Sequence, residues 1–351
     1  MRRRAARGWL AGGSLAILFA PVLRADERTQ KLALRLDEEA GAFARLAPQL
    51  VGEETLHQRA LKAPPRFRPR VGDAAREAPK PSWQERTLIS EYTLALFSGD
   101  DASAGAGTFH ELRQVTSVDG KKIADLTKAQ DTLAKAVTST GDQRRLQLLK
   151  DFERHGLLGA VTGVGPMLLM FSGPDLSRFE LLYLREEYQG AARLLVFSYR
   201  QLDGEGLSVF GARKGDRPPA QAVDQPKHMQ ISGEIWVREV NYAPVRITMA
   251  ASQGEGATLV REEARVDYVM SQWGTLVPQL AEHRELRAGH VVAENRFEYA
   301  PFHKLGANPT ASGERGAGFS LQRRLQPPRR SSDTSTLGLK SQLLAKARST
   351  L

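Results

Sequence analysis

The chain has no cysteine. This excludes disulfide scaffolding, thiolate catalysis, iron–sulfur clusters, cysteine-ligated zinc and lipid attachment through sulfur. Long hydrophobic runs are also missing. The two most apolar stretches, from about Trp9 to Leu23 and from Gly159 to Phe171, fall short of the roughly 20 residues that span a bilayer. No catalytic or metal motif is complete. The histidines (His57, His110, His155, His228, His283, His290 and His303) have no close ligand spacing. His283 and His290 fall on neighbouring predicted strands and read as surface residues. Gly206-Leu207-Ser208-Val209-Phe210 lacks the second glycine of a nucleophile elbow. Gly159, Gly163 and Gly165 precede no phosphate-loop Lys-Ser/Thr. The acid pairs Glu53-Glu54, Glu186-Glu187 and Glu262-Glu263 are adjacent on predicted strands, so their members point to opposite faces. The expected set of catalytic residues, metals and cofactors is therefore empty.

What is present is an ordinary globular composition over 351 residues, with 41% hydrophobic residues and a net charge of +10. That length fits about two domains or one large β-domain with extensions. The charge is unevenly spread. Residues 1–25 hold five arginines and no acid, and residues 307–351 hold six arginines and two lysines against one Glu and one Asp. The remainder carries a net −1. A near-neutral body argues against nucleic acid as a partner. Arg2, Arg3, Arg4 and Arg7, the apolar run after them and Arg24-Ala25-Asp26 form the pattern of a secretory signal, with cleavage expected after Ala25. This predicts a periplasmic or secreted protein.

Along the body, Leu32, Leu36, Phe43 and Leu46 predict an amphipathic helix over about 27–50. Strands are expected near 49–61, 83–97 and 109–118, the last ending at the turn pair Asp119-Gly120. Residues 126–171 read as a helical insert whose end, 159–171, is a buried core helix or an apolar lid. From about Arg178 the chain alternates with period two into an antiparallel meander. The expected fold is α+β, with seven to ten strands in an open or half β-barrel and the helices packed on it. Residues 26–306 form this single domain, and 307–351 form a basic, low-complexity, disordered tail.

Two segments carry a resemblance. Gly233-Glu234-Ile235-Trp236-Val237, followed by Pro244-Val245-Arg246-Ile247, resembles a hairpin of secreted bacterial β-proteins, as does the turn at Val118-Asp119-Gly120-Lys121. The chain is similar to an uncharacterised family of such proteins, and more distantly to the LolA/LolB-like periplasmic lipoprotein carriers. The resemblance implies an unclosed antiparallel barrel with helices as a lid over a hydrophobic cavity. The side chains expected to line it are Phe179, Tyr183, Phe197, Tyr199, Trp236, Met249, Tyr268, Phe297 and Tyr299. The expected function is non-enzymatic binding or carriage of a lipid, lipoprotein or other apolar ligand. A structural module of the envelope, with its tail on an envelope protein or an anionic membrane surface, is the second expectation. A hydrolase built on cross-strand carboxylates is the third.

Overall fold

The computed structural model describes residues 20–62, 82–97, 108–139, 141–157, 164–202 and 230–305. The side chains of residues 20–26, 97, 108, 174 and 230 are outside that description. The expected signal segment up to residue 19 and the expected tail also lie outside the described residues. Those described belong to one compact unit, residues 1–307.

Helix α1 (Ala20–Leu46) begins before the predicted Glu27 and ends four residues before Leu50. Four strands follow: β1 (Leu50–Leu61), β2 (Trp83–Phe97), β3 (Thr108–Val118) and β4 (Lys121–Lys122). Helices α2 (Leu126–Val137) and α3 (Gln143–His155) come next, then two 3₁₀ segments, Gly165–Phe171 and Gly173–Arg178. The C-terminal meander is β5 (Phe179–Gln189), β6 (Ala192–Gln201), β7 (Gln230–Arg238), β8 (Pro244–Gln253), β9 (Val260–Met270), β10 (Leu276–Arg287) and β11 (His290–Tyr299). A short β12 (His303–Lys304) pairs with β1.

All twelve strands join one curved, open antiparallel sheet in the order β4-β3-β2-β1-β11-β10-β9-β8-β7-β6-β5, more strands than the sequence predicts. Apart from the short β12 on β1, neighbours in the sheet are neighbours in sequence except at one place. There β1 pairs with β11, with Leu56 opposite Phe297. The segment from α2 to the second 3₁₀ turn therefore carries the chain from one edge of the sheet, β4, to the other, β5.

Period-two alternation fixes which side chains face inward. One row across the sheet runs Leu88–Leu56–Phe297–Ala281–Val266–Ile247–Ile235–Phe197–Tyr183. Helix α1 lays Leu32, Leu36, Ala40 and Phe43 onto this inner face, a 4-4-3 spacing that puts all four on one helical stripe. Helix α2 packs instead on the outer face, where Leu133 and Ala136 meet Ala95 and Leu112. Helix α3 bridges the two sides, with Leu148 in the outer cluster and Phe152 in the inner core. It thereby covers edge strand β3, which offers β4 only a two-residue pairing.

The predicted core helix over 159–171 is, in its described part, a 3₁₀ segment. Gly165 and Pro166 open it, and Pro166 departs from helical angles, so α-helical hydrogen bonding is not propagated. Met167, Leu168 and Phe171 are fully buried against the inner face.

Candidate functional site

The inner face divides into an apolar half and a polar half. On the apolar half, Phe171 of the 3₁₀ segment stands edge-on to Tyr199 at 5.1 Å and tilts against Phe179 at 5.3 Å. Tyr183 packs on Phe197 at 5.5 Å, and Arg28 of α1 lies 4.7 Å over the Tyr183 ring. Gly233 sits opposite Tyr199 in the register, and a Cβ there would fall 2.0 Å from the Thr248 carbonyl oxygen. The absent side chain lets the Tyr199 hydroxyl reach that same oxygen at 2.8 Å.

Eight of the nine expected lining residues share this inner face: Phe179, Tyr183, Phe197, Tyr199, Met249, Tyr268, Phe297 and Tyr299. They pack against α1 and the 3₁₀ segment. The cavity lined by Phe43, Tyr92, Leu94 and Phe302 measures about 10 Å³, room for about one water. Trp236 requires a correction. It lies between the buried Ile235 and Val237 and so points to the outer face. There its indole N–H donates to Glu187 at 3.0 Å, and Arg185 and Arg246 lie 5.9 and 5.6 Å from its ring.

The polar half begins with a buried knot. Arg113 on β3 reaches across β2 to β1 and donates to Glu54 through Nε at 2.6 Å and Nη2 at 2.7 Å. Nη2 also pairs with Glu111 at 2.9 Å. Arg113, Glu54 and Glu111 are all about 99–100% buried, and the guanidinium lies between the rings of Tyr92, Phe152 and Phe297 at 4.8–5.2 Å. Burial pushes the Glu54 carboxyl above the ordinary carboxylate range, against the opposing pull of Arg113, and the Glu111 charge adds to the rise.

This knot anchors the 3₁₀ segment. The Gly165 amide donates to Glu111 Oε1 at 3.1 Å, as does the Tyr92 hydroxyl. The Tyr268 hydroxyl donates to the Gly165 carbonyl at 3.2 Å and accepts from the Leu168 amide at 2.9 Å. A Cβ at Gly165 would fall 2.8 Å from both Glu111 Oε1 and Tyr299 Oη, so only glycine fits over the knot. Burial raises the Tyr268 and Tyr299 hydroxyls well above their ordinary range, so both stay protonated donors.

A second polar line crosses four strands of the same face. The Leu157 amide donates to Gln58, Gln58 donates to Asn295 at 2.8 Å, and Asn295 meets His283 Nδ1 at 3.2 Å. His283 Nε2 lies 3.5 Å from Glu262. His283 is therefore a buried residue and not a surface one, and it faces Asn295 and not His290. Among the described residues no cluster of three candidate metal ligands forms.

Sequence reasoning missed Glu54, Glu111, Arg113, Tyr92 and Gln58 as a group. The usable signal was phase: Glu54 and Gln58 fall in step with Leu56, and Glu111 and Arg113 with Val115.

No protein-family profile and no curated protein matches this chain. Two solved structures are distantly similar in fold. One is a DUF1329 family protein from Desulfovibrio piger, with TM-score 0.31 and 9% identity, covering 80% of this chain and 93% of that one. The other is a LolA superfamily protein from Nitrosomonas europaea, with TM-score 0.27 and 11% identity, covering 80% of this chain and 95% of that one.

Proposed function

We propose that this is an exported envelope protein that binds or carries an apolar ligand, such as a lipid or the acyl chain of a lipoprotein, without catalysing a reaction. The ligand takes the place of the Gly165–Phe171 segment on the apolar half of the inner face. One observation carries the reading: among the described residues, that half of the sheet is covered by a seven-residue apolar segment and one helix, with no second sheet packed on it. A 3₁₀ segment has few internal hydrogen bonds, so it leaves at smaller cost than a paired strand. Met167, Met170 and Met249 line the contact, and their unbranched thioethers repack around differently shaped guests.

The test is native mass spectrometry of the full chain released from its own envelope. The expected result is a protein carrying lipid mass that organic extraction removes. A ligand-free protein that also takes up no added fatty acid would overturn the reading.

A second reading, a closed structural module, is favoured by the hydrogen bonds from Tyr268 and Glu111 that fasten the same segment. In that case the basic residues 307–351 make the functional contact. Binding to vesicles containing anionic lipid should then depend on this tail and weaken as salt rises.

A further inference from the structure

The two edges of the sheet end differently. At one edge β4 offers only two residues, and α3 packs over β3. At the other stands β5, eleven residues long, with no lysine and no proline to guard it. Alternate residues of an antiparallel strand turn their main chain to the same neighbour. The Leu202 amide, just past β6, donates to the Arg178 carbonyl at 2.8 Å, so Glu180 and Leu182 also turn theirs to β6. Phe179, Leu181 and Tyr183 therefore turn their N–H and C=O groups outward, and among the described residues no strand pairs with them.

The side chains at this edge are equally unfinished. Leu181 and Tyr183 join the inner core but are only partly buried. On the outer face Leu182 is 53% exposed. The apolar run ends in a bulge at Leu184, followed by Arg185-Glu186-Glu187. The bulge brings Arg185 onto the same outer face as Glu180 and Leu182, where it meets Glu234 of β7. The free edge is thus apolar in its middle, with an acid on one side of Leu182 and a base on the other. Such a strand is complementary to itself when reversed.

We propose that β5 pairs antiparallel with β5 of a second copy of this chain, about a two-fold axis through Leu182. In that register Leu181 of each copy opposes Tyr183 of the other, and their outward groups make about four backbone hydrogen bonds. Leu182 meets its own counterpart in a non-hydrogen-bonded pair, where side chains approach most closely. Glu180 of each copy faces Arg185 of the other across the bulge, and both side chains are exposed enough to reach. The two inner cores meet at Leu181 and Tyr183. The same patch serves both copies, so the assembly closes at two. None of this depends on what the inner face binds.

The experiment is sedimentation equilibrium of the full chain up to about 1 mM. The expected result is a monomer–dimer equilibrium with no larger species. Leu182→Lys sets two cations face to face on the axis, at a position exposed in the monomer, and should weaken the dimer about tenfold or more. Glu180→Arg and Arg185→Glu each place like charges opposite one another, so each alone should also associate more weakly. Mixed together, these two variants restore both opposite-charge pairs in a heterodimer, and the mixture should associate more tightly than either alone. Should Leu182→Lys fail to fold, the mixing experiment carries the test. A wild type that stays monomeric, an open series of larger species, a dimer unchanged in folded Leu182→Lys, or a mixture no tighter than its components would each overturn the proposal.

Discussion

The two faces of this sheet use the same residue types to opposite ends. On the outer face, Arg and Glu alternate across strands as exposed pairs. Arg296 meets Glu282 at 2.9 Å, with the two side chains 50% and 35% exposed. On the inner face, Arg113 meets Glu54 at 2.6 Å with both side chains at 0–1% exposure. The distances are similar, so distance does not set what each pair contributes. Water and salt screen the outer pairs, and nothing screens the inner one. The outer ladder keeps the face soluble, and the inner knot fixes which segment covers the sheet.

That contrast breaks if the two Arg–Glu pairs respond alike to truncation. Arg113→Ala should have the largest effect, about 3–5 kcal/mol in chemical denaturation, because it strands two buried carboxyls. Next is Tyr268→Phe, which removes the hydroxyl bonded to Gly165 and Leu168 and leaves the fold's apolar contacts in place. Its expected cost is about 1–3 kcal/mol, with faster exchange at Leu168 than elsewhere in the core. Smallest is Arg296→Ala, expected to cost less than about 1 kcal/mol and to lose even that at high salt. A cost at Arg296 equal to that at Arg113 would remove the distinction between the faces.

Much of this architecture was legible in the chain. Alternation placed Phe179 with Tyr183, and Phe197 with Tyr199, on one face, because the period of a strand is two whatever packs on it. The β5–β6 hairpin and those from β7 to β11 are local and follow from their turns. The β1–β11 pairing joins residues more than 200 positions apart, as Gln58 and Asn295 illustrate, and local pattern carries no information about it. Trp236 went to the wrong face because Ile235, Trp236 and Val237 are all apolar, so the pattern there has no phase. The knot was hidden for a different reason. Glu54 was judged as a member of the Glu53-Glu54 pair, whereas its chemistry comes from Arg113 and Glu111 two strands away.

Full burial of Phe197 also changes how the inner face can be probed. A charged residue there would unfold the core before it reported on any ligand. Loosening the covering segment is the cleaner intervention, and Tyr268 provides it. The most direct measurement is titration of the full chain with a fluorescent fatty acid, comparing wild type with Tyr268→Phe. The account predicts saturable binding by the wild type and tighter binding by the variant, because less of the binding free energy goes into displacing the segment. A folded Tyr268→Phe protein that binds no fatty acid, or binds it no better than wild type, would contradict it.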